Sequence, residues 1–357
     1  MKTRLLAVGF IILSSIAFSC SSNSDETETP KVDDLYKNVL TDLTQKVITE
    51  TYKDLNIKAT ELQDAVNVFA KSSTDENLEK VKKAWVDTRK PWEQSEGFLY
   101  GPVETQGLDP AMDTWPVDVE AMNNILKSNQ PITAKLISAN HEARGFHLIE
   151  FLVWGEDGLK KADQLSDRQI EYLVAATEDL QLNTKYLYDA WRADKGNYGK
   201  IFISAGPSNN KYPSYQAALE ELVDGLFTIA DEVGTGKIEE PLNPEGSTPM
   251  PEKEESRFSN NSKQDFIDNI ISIQNVYNGY YKQDVNGISK IVQEKNAALD
   301  KEIKQAITDA INAIDAIPNT FTQAIYKNRK EVKDAQNKVN DLANLLDTKL
   351  RSFVNSL

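Results

Sequence analysis

Apolar residues recur every three or four positions along most of the chain, and no stretch alternates apolar with polar residues as a half-buried strand would. The pattern predicts an all-α protein. Leu55, Ala59, Leu62, Val66 and Phe69 step by 4, 3, 4 and 3, which makes one buried stripe. Ser73-Thr74-Asp75-Glu76 reads as a capping box opening a helix with Leu78, Val81, Trp85 and Trp92 on its inner side and a kink at Pro91. Residues 101–117 hold three prolines and two glycines among acids and read as an ordered loop. Short helices over about 117–127 and 131–138 precede an apolar helix from 145, which Gly155 and Gly158 end.

Further helices are expected over 166–194, 213–234, 262–316 with a break near 286–287, and 321–354. Two more stripes, Leu299-Ile303-Ile307-Ile311-Ile314 and Val332-Ala335-Val339-Leu342-Leu346, have the spacing of antiparallel bundles. The expected architecture is two tandem four-helix bundles, 33–160 and 161–357, related by an approximate internal duplication. The polar segment 236–260, rich in Pro, Glu and Ser, is assigned to a long loop inside the second.

A length of 357 residues agrees with about two domains. The net charge of −15 argues against nucleic acid as a partner, because that binding runs on Lys and Arg neutralising phosphates. Lys2 and Arg4 precede an apolar run, 5–13, that is too short to span a bilayer. Residues 1–19 therefore read as a signal peptide. Ala17-Phe18-Ser19-Cys20 resembles a lipobox, which would make the single cysteine, Cys20, a lipidated first residue; an ordinary cleaved signal peptide is the alternative. Residues 20–32 then form an acidic tether. Its Ser-Asp-Glu start resembles tags that route Bacteroidetes-type lipoproteins to the outer face of the Gram-negative outer membrane. The expected address is the cell envelope, with membrane contact through the lipid alone.

Only two histidines exist, and one of them, His147, stands three residues before Glu150 on the apolar helix. Positions i and i+3 share a helix face, so the pair could offer nitrogen and oxygen to one cation. A buried carboxylate needs a partner. Glu150 has three to choose from: a metal, the imidazolium of His147, or Arg144. Glu93 and Glu96 repeat the i,i+3 spacing, and Asp109 and Asp113 follow in the loop; singly, each also reads as a solvated face or a turn residue.

Trp85, Arg89, the 91–96 run PWEQSE, Phe98, Gly101-Pro102-Val103, Asp109-Pro110, Asp113-x-Trp115-Pro116 and Gly145-Phe146-His147-Leu148-Ile149-Glu150 together resemble the imelysin family. Ser259, Asp265 and Tyr277-Asn278-Gly279 resemble its second-half pattern. The resemblance implies two helical bundles with a shared site between them, in envelope proteins tied to iron uptake or described as peptidases. By position it implies His147, Glu150, Glu93, Glu96 and Asp113 as metal ligands. Arg89, Trp115, Gly145, Ser259 and Tyr277 become pocket support.

Phe151 stands where an HxxEH zinc peptidase would carry its second histidine, and His141 lies six residues from His147, off its face. The expectation is therefore a binder of a metal ion, iron before zinc, or of an iron-containing ligand, working with an outer-membrane receptor. A metal-dependent peptidase is the alternative. A module that binds peptide, haem or receptor without catalysis is the second.

Overall fold

Helices form where the stripes predict them and stop where the chain needs a turn. The computed structural model describes residues 32–246 and 248–357; the expected signal peptide, Cys20 and the tether up to residue 31 lie outside them. Helix α1 (Val32–Asp42) passes through a π-helical stretch, Leu43–Ile48, into α2 (Thr49–Lys71), and α3 (Asp75–Glu93) follows. Thr74 caps α3 by accepting a hydrogen bond from the Asn77 amide at 3.3 Å; with asparagine at that position, the reciprocal half of a capping box is missing. Pro91 sits in the last turn, and the helix runs two residues past it.

A 3₁₀ turn (Glu96–Phe98) leads to four short helices: α4 (Pro102–Thr105), α5 (Leu108–Met112), α6 (Val119–Lys127) and α7 (Ala134–Ser138). Next come α8 (Gly145–Trp154), α9 (Asp167–Trp191), α10 (Gly199–Ile203) and α11 (Tyr215–Asp231). A second π-helical stretch, Glu232–Ile238, joins α11 to α12 (Glu239–Leu242). The chain ends with α13 (Ser262–Asn278), α14 (Ile288–Lys295), α15 (Ala297–Asp315), α16 (Phe321–Lys327), α17 (Arg329–Leu345), a third π-helical stretch (Leu346–Leu350) and α18 (Arg351–Asn355). Among the described residues the only β pairing is one isolated bridge, Tyr280 to Asp284.

Two closed sets of four helices result. In the first, α2 packs on α3, α3 on α8, α8 on α9, and α9 back on α2. In the second the circuit is α11, α13, α15 and α17. Packing of the first set thus extends past residue 160, because α9 turns Tyr172, Leu173, Ala176, Leu180, Leu187 and Trp191 inward, and Trp191 meets Tyr52 of α2 at 5.8 Å. No helix among the described residues is long and apolar enough to cross a membrane.

The two sets meet where α3 and the turn after it lie against α11 and α13. Glycines make that approach possible. A Cβ on Gly225 would overlap the Gly97 carbonyl oxygen, and one on Gly97 would reach Ser272 Oγ at 2.5 Å. The segment 236–260, expected as a polar loop, is partly helical and turns inward: Lys237, Glu254, Glu255 and Ser256 are all buried at this junction. Polar composition misled because Lys237 and Glu255 find charged partners in the other bundle, while Glu254 bonds Ser262 within its own.

Candidate metal centre

Helix α8 sets His147, and the start of α8 depends on one glycine. Gly145 has φ +83°, and a Cβ there would overlap the carbonyl oxygen of Met112 at the end of α5. That contact brings Asp113, the next residue, beside His147. Trp85 Nε1 donates to the Phe146 carbonyl at 2.9 Å and fixes the first turn of α8 from the α3 side. Trp115 stands edge-on to the imidazole with 5.0 Å between ring centres.

The two imidazole nitrogens have different neighbours. Nδ1 pairs with Glu150 Oε2 at 3.1 Å, while Nε2 faces Asp113 Oδ1 at 3.1 Å and Glu255 Oε1 at 3.2 Å. Glu150 Oε1 in turn accepts from the Ser259 amide and hydroxyl, both at 2.7 Å. Spacing alone placed His147 and Glu150 side by side on one cation. In the structure the glutamate stands behind the imidazole and holds its orientation, leaving Nε2 to face the cluster.

Around Nε2 the charges are dense and almost wholly buried. Arg89 pairs with Glu93 and Asp113, with Glu255 at 2.7 Å, and through Nε with Asp265 at 3.5 Å. The Lys237 ammonium lies 3.0 Å from Glu96, 3.1 Å from Glu255 and 3.5 Å from Glu93. Trp92 Nε1 donates to Asp113 Oδ2 at 2.6 Å. Asn269 donates to Glu93 at 2.6 Å and Glu96 at 3.1 Å, while its own carbonyl oxygen is buried without a partner, as is the Trp115 indole nitrogen.

Six carboxylates (Glu93, Glu96, Asp113, Glu150, Glu255 and Asp265) thus face two permanent cations, Arg89 and Lys237. Burial shifts several of these groups toward their protonated forms. Burial pushes the carboxyls of Glu93 and Glu96 well above their ordinary range and that of Asp265 up to about 6. Burial would also raise Asp113, but Arg89 and the His147 hydrogen bond outweigh it and hold this carboxyl at about 2. Glu255 is likewise carried well below its ordinary range by Lys237, His147 and Arg89 against the effect of burial. For His147, burial favours the neutral ring, yet its bonds to Asp113, Glu150 and Glu255 raise its pKa well above the usual value. Burial thus favours the protonated forms of Glu93 and Glu96, and the carboxylates around His147 favour its imidazolium, which lowers the net negative charge of the cluster.

Two groups of three donors lie close enough to share one cation: His147 with Asp113 and Glu255, and Glu93 with Glu96 and Asp113. Oxygen-rich sets with one imidazole suit iron or zinc. The excess of carboxylates and the unpartnered Asn269 carbonyl oxygen fit such an ion, whereas the Trp115 indole N–H, a donor only, does not bear on it. A cleft of about 260 Å³, lined by Glu96, Asp109, Asp113, Trp115, Lys237 and Glu255 among others, leads in from outside.

Of the residues expected from sequence, His147, Glu150, Glu93, Glu96, Asp113, Arg89, Trp115, Gly145 and Ser259 converge here. Tyr277 does not: its hydroxyl binds Asp300 at 3.1 Å inside the second bundle, eight residues along α13 from Asn269, or about 12 Å at the helical rise. His141 is exposed, and Phe151 packs on Phe258 with 5.1 Å between rings. Sequence reasoning missed Glu255, Lys237 and Asn269. The one available signal was Glu254-Glu255-Ser256 standing three residues before Ser259.

A family model described as Imelysin matches residues 48–349. Iron-regulated protein A of Synechococcus elongatus is 31% identical over 291 residues, covering 80% of this chain and 77% of that protein. Among crystal structures, a provisionally named iron-regulated protein A precursor from Parabacteroides distasonis superposes with a TM-score of 0.80 at 25% identity, over 91% of this chain and 96% of that one. An imelysin-like protein from Psychrobacter arcticum shares the fold with a TM-score of 0.74 at 13% identity, over 90% and 95% of the two chains.

Proposed function

The chain belongs to the imelysin family, and from that premise we propose that it captures a metal ion, iron in preference to zinc, in the cluster between its two bundles. The observation that carries this reading is the charge imbalance: six buried carboxylates against two permanent cations. His147 through Nε2, Asp113 and Glu255 would hold the ion, with Glu150 and Ser259 fixing the imidazole. A divalent cation entering the cleft takes over the charge that protons on the cluster supply, so capture releases protons. Iron is favoured because the donors are mainly oxygen, and because a relative of this length carries the name iron-regulated protein A. The leader and Cys20 support an envelope lipoprotein that collects its ion outside the cytoplasm.

Amide hydrolysis has less support. Phe151 fills the place of a second histidine ligand, and the nearest carboxylates are tied to Arg89 and Lys237. Calorimetric titration of the protein with Fe²⁺ under anaerobic conditions and with Zn²⁺ tests the proposal. Wild type should bind iron and release protons. His147→Ala combined with Glu255→Gln should lose at least about tenfold in affinity, one tenfold step being about 1.4 kcal/mol. Unchanged binding in the double variant would sink the ligand assignment.

A further inference from the structure

We infer that Lys237 is a tethered counter-cation: its ammonium fills a second cation subsite beside the His147 subsite, and a metal ion that takes that place must expel it. This rests on the metal-binding reading above and extends it to a neighbouring position. The two donor groups share Asp113, so they form adjoining subsites joined by one carboxylate, an arrangement known for pairs of ions about 3.5–4 Å apart. The first has imidazole, Asp113 and Glu255. The second has Glu93, Glu96 and Asp113, and it is here that Lys237 places its charge, among Glu96, Glu255 and Glu93 at 3.0, 3.1 and 3.5 Å.

Several features fit a cation that can leave. A lysine ammonium is a compact point charge on a flexible stem, unlike the planar guanidinium of Arg89, which is locked to four carboxylates. Lys237 sits on a π-helical stretch that includes Gly234 and Gly236, and its side chain lines the cleft together with Glu232 and Glu240, both of which are exposed. An expelled ammonium thus has carboxylates to meet on its way out.

The experiment compares ion stoichiometry and thermal stability in wild type, Lys237→Met and Lys237→Arg, using Fe²⁺ and Zn²⁺ alone as probes. Lys237→Met should bind one more ion per chain than wild type at the same free metal concentration. Its melting temperature should fall below wild type without metal and rise more on loading. Adding Glu96→Gln should abolish the extra ion, and Lys237→Arg should retain the wild-type count. If wild type binds metal and Lys237→Met binds no more, the counter-cation role is overturned while the metal-binding reading stands. If neither protein binds metal, that reading falls and takes this inference with it. A Lys237→Met protein that does not fold without metal, yet is recovered folded with the extra ion when refolded in its presence, supports the role. Recovery with only the wild-type count overturns it.

Discussion

Two buried ionic groups hang from the same helix, and they differ in their sums. At the start of α8, Arg144 meets Asp179 of α9 through two hydrogen bonds of 2.9 Å, one cation to one anion. Three residues on, His147 enters a cluster where six carboxylates face two permanent cations. The first group is closed: every charge has its partner in the chain. The second is open, and its missing positive charge must come from protons or from outside. Burial alone therefore does not distinguish a structural pair from a site; the charge balance inside the buried set does.

The contrast gives four tests. The largest effect is expected at the closed pair. Arg144→Met should cost about 3–5 kcal/mol of stability in denaturant unfolding, because Asp179 is left as a buried lone charge, and metal should restore none of that loss specifically. Equal rescue of this variant and of a cluster variant by metal would break the comparison.

Next is pH. A carboxyl raised in the folded state, as Asp265 is to about 6, contributes stability that is full below its unfolded value of about 4 and is lost as pH rises through about 6. Glu254, pushed up to about 7 by burial, acts in the same direction. Asp113, held at about 2, contributes in the opposite sense, above about 4, and loses its share only on acidification toward 2. The metal-free protein should thus lose about 4 kcal/mol between pH 5 and 7.5. Thermal melts across that range should show the decline, and Asp265→Asn should reduce it by about a third, leaving the part due to Glu254. A melting temperature that rises with pH would refute the proton-holding cluster.

A smaller effect of opposite sign separates the groups further. Glu96→Gln should stabilise the metal-free protein at pH 7 by about 1 kcal/mol, because glutamine is buried without the proton uptake that the raised carboxyl of Glu96 requires on folding, while it weakens metal binding; Asp179→Asn should destabilise. The smallest effect is expected from Tyr277→Phe. Loss of its bond to Asp300 should cost roughly 0.5–1.5 kcal/mol and leave the metal isotherm unchanged.

How much of this was legible beforehand depended on range. The stripes from Leu55 to Phe69 and from Val332 to Leu346 mark buried faces directly, since helical spacing is local information. His147, Glu150, Glu93, Glu96 and Asp113 were found because each belongs to a short, spaced motif. The partner choice of α9 was not readable, because an amphipathic stripe says that a face is buried and not against what. Lys237, Glu255 and Asn269 were equally hidden: a lysine or glutamate in a polar run reads as solvated until the opposite bundle is in place. Tyr277 matched a motif, but its direction around α13 takes it to Asp300 instead.

One feature has a mechanical meaning. His147, Asp113, Glu93 and Glu96 come from the half that precedes α11, whereas Glu255, Lys237 and Asp265 come from the half that follows it. An ion gripped by both would be a rivet across the seam where Gly97 and Gly225 touch. Separating the bundles would then also break the ion's coordination, so the two events would be one motion.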